Sequence, residues 1–407
     1  MIDQSLADKI RKYVSSDLNE SKFQAQADPF WNKLKSSGTT LWLDTGDMEE
    51  ADEVWTSDME ALTTNNTLIN KVIQKGIYDD YIKSSVNIVA SLSIEDQIKE
   101  IAFILNARHG LRLVERYGGF VSVELHTATA HDIDAILHYG LRYRDICPDR
   151  FIIKVPYTAA GLIGARLLKE KGVKINFTLG FGARQNVIAA HIARPDFLNV
   201  FLGRVGAYIA DNKLGDGSGA GEKALIETQR AMSRISGLYS HPTRLIAASL
   251  RSYEQLRALA GTDLYTMPPK VAADGRRNLD GIFTDMVDHD YTPGVNADMV
   301  ESGIYKFWRV DENLEKLSAE LGKKLPGSGE QLEQSFRDAG FEDVFPILSD
   351  EDINVLAADG KIPVSSRWAD KIAVGKIAPD TLLNLAGLLS FTADQAMLDS
   401  RIESMIS

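Results

Sequence analysis

A lysine interrupts an apolar run in "FIIKVPYT" (151–158). Phe151, Ile152, Ile153 and Val155 surround Lys154, and no acidic residue follows until Glu170. A charged amine is costly to bury without a partner, so burial should drive Lys154 toward its neutral form. A neutral amine attacks carbonyls, and Schiff-base formation is the standard use of such a lysine. The protonated imine then draws electrons from a neighbouring C–C bond and permits its cleavage. This chemistry needs a carboxylate to move protons on and off the carbinolamine, and a base for the hydroxyl that becomes an aldehyde. Glu124 and Asp44 are the candidate carboxylates. Asn65, Asn176 and Thr178 are the neutral groups that could hold substrate hydroxyls. The competing explanation is an ion pair between Lys154 and Glu124 with no chemistry attached.

A second set fits an anion. Arg204 in "FLGRV" and Arg251 in "AASLR", with the Ser249 hydroxyl, would suit a phosphate dianion. Two other stretches fail on inspection. "GDGSGAGEK" (215–223) lacks the GxxxxGK[ST] order of a phosphate cradle, since Glu222 follows Gly221; a flexible loop after the sixth strand, able to form part of a mouth rim, is the expectation. "AADGKIPVSSRW" (357–368) would place Val355, Ala357 and Ser366 at calcium-ligand positions, where they supply no carboxylate.

The elements that must position these groups are short β-branched runs separated by helix-like segments. Candidate strands are 39–44, 60–65, 120–126, 151–156, 174–181, 199–205, 244–251 and 263–268. Eight strands with helical crossovers predict a parallel (β/α)8 barrel, with a doubly wound open sheet as the alternative. Side chains alternate between the two faces of a strand. That rule assigns Leu41, Val123, Ile153, Phe177, Ile246 and Ala248 to the face under the helices. Asp44, Asn65, Glu124, Lys154, Asn176, Thr178, Asn199, Ser249 and Arg251 fall on the inner face, mostly near the C-terminal strand ends. Barrel enzymes carry their chemistry at that end. A barrel with an N-terminal helical arm is expected over 1–294. A mainly helical extension is expected over 295–407.

The 407 residues carry a net charge of −12, which argues against a nucleic-acid partner. No apolar run approaches the length of a membrane span. The start, "MIDQSLADKIRKYVSS", reads as an amphipathic helix rather than a secretory signal. Cys147 is the single cysteine, which excludes an internal disulfide and fits a cytoplasmic protein. Seven scattered histidines without HExxH or CxxC spacing give a metal site little support.

Several motifs, in order, resemble those of the transaldolase family. "LWLDTGDMEE" is similar to its first-strand LDT/ADTGD pattern, "ALTTNNTLINK" to TTNPSLI, and "VSVEL" to VSxEV. "IIKVPYTAAGLIGARLLKEKGVKINFTLGFGARQ" is close to the signature around the family's reactive lysine. "FLGRV" resembles FVGRI, and "IAASLRS" resembles MGASFRN. The resemblance covers roughly residues 39–270.

The resemblance implies a Schiff-base barrel enzyme of the pentose phosphate pathway, a transferase of aldehyde or ketone residues. Lys154 would carry the ketose, Asp44 would take the C4 hydroxyl proton, and Glu124 would shuttle protons through a water shared with Thr178. Asn65 and Asn176 would hold the dihydroxyacetone fragment, while Arg204, Ser249 and Arg251 would bind the sugar phosphate. No metal or organic cofactor would be used, and a homodimer is the family expectation. Three departures stand out. Asn66 replaces a usual proline, Asn199 and Val200 replace a Ser-Pro pair, and Gly182 replaces a serine. Asn199 can still hydrogen-bond to substrate but is bulkier. The alternatives are a fructose 6-phosphate aldolase and a non-catalytic sugar-phosphate binder. Those aldolases carry a tyrosine where this chain has Phe201.

Overall fold

The computed structural model describes residues 2–239 and 242–406. Eight parallel strands close into a barrel in chain order. They are β1 (Thr40–Asp44), β2 (Met59–Thr63), β3 (Phe120–Glu124), β4 (Phe151–Pro156), β5 (Ile175–Thr178), β6 (Phe197–Phe201), β7 (Arg244–Ala248) and β8 (Leu264–Met267). Pairing of β1 with β8 closes the ring and rules out the open sheet. The barrel with its helical extension is thus the (β/α)8 fold expected. All eight strands fall on or overlap the expected runs, but β6 stops at Phe201 and does not reach residue 205. The chain turns there into the helix Leu202–Asp211, so Arg204 sits in a first helical turn rather than on a strand.

The lower interior combines an aromatic contact with one polar link, and the upper interior is polar. The Trp42 and Phe197 rings meet edge to face at 4.7 Å. Arg244 donates from Nη2 to Thr40 Oγ1 at 2.6 Å. Above them, register puts Asp44 beside Thr63, Glu124 beside Lys154, and Lys154 beside Asn176.

Strict alternation gives the wrong faces for β7. Arg244 points inward to Thr40, and Ala248 lines the interior cavity, so Ile246 between them shares that inner face. Ser249 nevertheless reaches the cavity too. Its backbone lies in the left-handed region, with φ of 62°, and this resets the alternation just past the strand. A non-glycine residue held there carries roughly 1–2 kcal/mol of strain.

Among the described residues, 295–406 contain no strand. The extension packs its Phe307, Leu314, Leu332, Phe336, Leu383 and Leu388 into the same buried cluster as the barrel. Each fully buried side chain of this kind contributes about 1.5–3 kcal/mol. The C-terminal helix Pro379–Ile406 packs against the helices Asn66–Gln74 and Ile94–Tyr117. Its first turn is clamped to the helix Ala183–Ile192 by Arg184, which grips Asp380 through Nε and Nη2 at 2.7 Å each. Arg184 Nη1 donates to Asp343 Oδ2 at 2.6 Å.

Candidate functional site

The polar strand ends open onto a cavity of about 230 Å³ at the C-terminal mouth of the barrel. Asp44, Asn65, Lys154 and Asn199 line it from β1, the end of β2, β4 and β6; Phe201, Arg204, Ser249 and Arg251 line it from the β6 and β7 ends. Alternation along each strand brings the first four inward. Asn65 is also the N-cap of the helix Asn66–Gln74, its Oδ1 accepting from Leu68 N.

Lys154 is 3% exposed. Its Nζ donates to the Thr64 carbonyl at 3.2 Å and stands 3.5 Å from Glu124 Oε2. The Glu124 carboxyl is raised above its usual value, chiefly by burial, with Lys154 and the Asn66 backbone N–H partly offsetting it. Glu124 Oε2 and Thr178 Oγ1 are both buried without a hydrogen-bond partner. Buried polar atoms are normally paired, so two orphans in the strand ends flanking Lys154 mark a place where a further polar group fits.

Asp44 faces Lys154 from across the cavity wall. Its Oδ1 accepts from Thr63 Oγ1 at 2.8 Å, and Thr63 Oγ1 lies 2.5 Å from Thr266 Oγ1. Burial raises the Asp44 carboxyl above its usual value, although Lys154, Thr63 and Arg251 pull the other way. The unfolded chain ionises this group at lower pH than the folded chain does. Stability therefore falls as pH rises from the usual carboxylate range through the raised value, and the cost persists above it. Asp44→Asn keeps the Thr63 hydrogen bond and removes that cost. The variant should be more stable than wild type at a pH well above the usual carboxylate range, by a margin that narrows on acidification toward that range. Urea midpoints of both proteins check this; a lower midpoint for the variant at the higher pH overturns it.

Asn176 and Thr178 lie behind this wall rather than on the cavity. Asn176 Nδ2 donates to Ser122 Oγ at 3.0 Å, and its Oδ1 accepts from Asn199 Nδ2 at 2.6 Å. Asn199 also donates to the Phe177 carbonyl at 3.0 Å. The asparagine in place of serine is thus tied down by two bonds that hold β5 against β6.

The cationic end owes its shape to glycine. A Cβ on Gly203 would lie 2.2 Å from the Ser249 carbonyl oxygen and 2.6 Å from Arg251 Cγ. Only glycine lets the "FLGRV" turn and the "AASLR" turn approach so closely. Arg204 is 7% exposed, and its Nη1 has no hydrogen-bond partner. Burial, with Arg251 adding to it, pushes this guanidinium down to about 10.

Eight cavity residues escaped sequence reasoning, among them Thr63, Thr266, Lys361 and Phe391. Thr63 and Thr266 are inward-facing and could have been found by extending the alternation. Lys361 and Phe391 come from the extension and had no local signal. The Phe391 ring centroid lies 5.9 Å from Lys154 Nζ and 5.8 Å from Arg204 Cζ, so it roofs the cavity between them. The 215–223 loop, a candidate for part of the rim, does not line the cavity. It pairs with the chain near Gly294 instead, Gly217 N donating to Gly294 O at 3.0 Å. No helix of the described residues is long and apolar enough to cross a membrane.

The family described as transaldolase/fructose-6-phosphate aldolase matches residues 41–315. The chain is similar to a transaldolase of Chlamydia felis, with 28% identity over 60% of this chain and 76% of the relative. It is similar to a transaldolase of Nostoc punctiforme, with 25% identity over 71% of this chain and 95% of the relative. A probable transaldolase of Thermus thermophilus is 32% identical over 57% of this chain and 87% of the relative. The family match ends before Lys361 and Phe391.

Proposed function

Because the chain belongs to the transaldolase/fructose-6-phosphate aldolase family, we propose that it transfers a dihydroxyacetone unit between sugar phosphates through a Schiff base on Lys154. The donor is a ketose phosphate such as sedoheptulose 7-phosphate or fructose 6-phosphate. The acceptor is an aldose phosphate such as glyceraldehyde 3-phosphate or erythrose 4-phosphate. On this reading the reaction belongs to the non-oxidative pentose phosphate pathway.

The observation that carries the proposal is one cavity lined by a buried lysine, an aspartate and two arginines. In the proposed sequence, the lone pair of Lys154 Nζ attacks the C2 carbonyl to form a carbinolamine. Glu124 supplies the proton with which water leaves, and the imine forms. Thr178 Oγ1, without a hydrogen-bond partner, and Glu124 Oε2, which has only the Lys154 amine at 3.5 Å, support a shared water in this transfer. Asp44 then takes the C4 hydroxyl proton as the C3–C4 bond breaks and its electrons pass to the imine. A carboxyl raised by burial holds that proton more readily than an exposed one would. The aldose phosphate leaves, and the enamine on Lys154 attacks the acceptor aldehyde. Asp44 returns its proton to the new alkoxide, and hydrolysis frees the product ketose. Asn65 and Asn199, on the cavity wall, would orient the hydroxyls; Asn176 would act through Asn199. Arg204, Ser249 and Arg251 would hold the phosphate.

The test is borohydride reduction in the presence of fructose 6-phosphate. A mass increase is expected on the peptide containing Lys154. Binding without any adduct would favour the non-catalytic binder. Phe201 lines the cavity with a ring that carries no hydroxyl, so it cannot deliver a proton to the enamine. Release of free dihydroxyacetone should therefore be much slower without an acceptor than turnover with one. Equal rates would identify a fructose 6-phosphate aldolase instead.

A further inference from the structure

We propose that the C-terminal extension supplies a third cation, Lys361, to the phosphate end of the cavity and so sets the preference for phosphorylated over unphosphorylated sugars. The inference rests on reading Arg204, Ser249 and Arg251 as the phosphate end, and it concerns a residue beyond the family match.

Lys361 lines the same cavity as those three residues. Among the described residues its amine makes no ion pair and no hydrogen bond. Lys361 is exposed at the surface of the cavity, yet its partial burial, Arg204, and smaller contributions from Lys71 and Arg251 hold the amine below the ordinary lysine range, with Asp394 opposing them. Arg204, Arg251 and Lys361 thus share one cavity in a chain whose net charge is −12. Asp394 is itself engaged by the Thr67 hydroxyl. Arg204, more than nine-tenths buried, keeps an unpartnered Nη1 among them. Arg204 repels Lys361 and Arg251 repels both, with Glu124 and Asp394 opposing only in part, and a phosphate dianion is an anion that three such cationic donors on one cavity suit.

The position of Lys361 is built rather than incidental. It follows Gly360, whose φ of 74° ends the helix Asp350–Asp359. Asp359 Oδ2 then accepts from Val364 N at 2.9 Å. Asn212 brackets the segment, donating to the Pro363 carbonyl at 2.9 Å and accepting from Ser365 N at 2.7 Å. Asn212 caps the C-terminal end of the helix Leu202–Asp211, whose first turn carries Arg204. One helix therefore fixes both cations. The C-terminal helix completes the arrangement: a Cβ on Gly387 would lie 3.2 Å from Arg204 Nη1, so the glycine leaves room for the guanidinium.

The test compares wild type with Lys361→Ala and Lys361→Arg. In Lys361→Ala the ratio of kcat/KM for fructose 6-phosphate to that for fructose should fall about tenfold, the loss falling on KM. Lys361→Arg should recover most of it. Inorganic phosphate, titrated calorimetrically into the same three proteins, should bind the alanine variant about tenfold more weakly than wild type. An unchanged sugar ratio with full turnover overturns the inference and leaves the Schiff-base reading standing. If no protein turns over or traps a sugar, the phosphate titration still decides. Weaker binding in the alanine variant supports the cation site without the sugar chemistry. Equal affinity, or no phosphate binding by wild type, overturns it.

Discussion

Lys154→Arg will lose at least about four orders of magnitude in transfer rate, as removal of a covalent nucleophile does elsewhere. It will also yield no borohydride adduct, while inorganic phosphate still binds. Arginine preserves the charge opposite Glu124 and a donor for the Thr64 carbonyl, the two contacts that Lys154 makes. An arginine does not give up its proton in proteins and so offers no nucleophile. The variant therefore separates the ion-pair role from the chemical one. If Lys154 only neutralises Glu124, arginine should serve nearly as well, and turnover within about tenfold of wild type would remove the Schiff-base assignment. Should the larger guanidinium prevent folding, Lys154→Met asks the same kinetic question with a side chain of similar length. In that variant Glu124 loses its neighbouring cation, which should push its carboxyl further in the direction burial already drives it.

Arg184→Met will be the most destabilising single change away from the cavity, costing about 3–5 kcal/mol. Arg184 is 4% exposed, Asp380 is 0% exposed and Asp343 is 4% exposed. Removing the guanidinium leaves Asp380 buried with no cation, while Asp343 keeps only Lys306 at 2.6 Å. Burial by itself would raise the Asp343 carboxyl, but Arg184 and Lys306 outweigh it and hold it below its usual value. Its stabilising contribution is therefore complete above the usual carboxylate range and fades as pH falls through the lowered value. Urea denaturation near neutral pH should reveal the full deficit, and the gap to wild type should narrow on acidification. Pairing Arg184→Met with Asp380→Leu should recover much of the loss, because an apolar pair has no stranded charge. A single variant as stable as wild type would contradict this account. The deficit should also appear in catalysis, because the clamp seats the helix that carries Phe391 and Gly387. A raised KM for sugar phosphate is the expected sign.

Much of the barrel was legible because its information is local. A run such as "FIIKVP" carries both its strand propensity and its facing in adjacent residues, so Lys154 could be turned inward without coordinates. The same held for Asp44 and Glu124. It failed at β7, where the left-handed Ser249 resets the count; such a turn shows no composition signal when the residue is not glycine. It failed again at Arg204, because a strand running straight into a helix leaves no loop residues to mark the change. Asn176 was correctly faced yet lies behind the cavity wall, since Asn199 and Ser122 take up its amide.

By itself the sequence determined the barrel, the motif around Lys154 and the identity of the polar groups at the strand ends. These follow from a period of two along each strand and from side-chain chemistry. Only the tertiary structure decided which of those groups reach the cavity and what roofs it. Phe391 arrives from the extension because Arg184 pairs with Asp380 across a sequence separation of 196 residues, and Lys361 because Asn212 brackets the segment beside it. A buried ion pair of that span leaves no periodic trace in either partner's neighbours, and its geometry exists only once the barrel has closed.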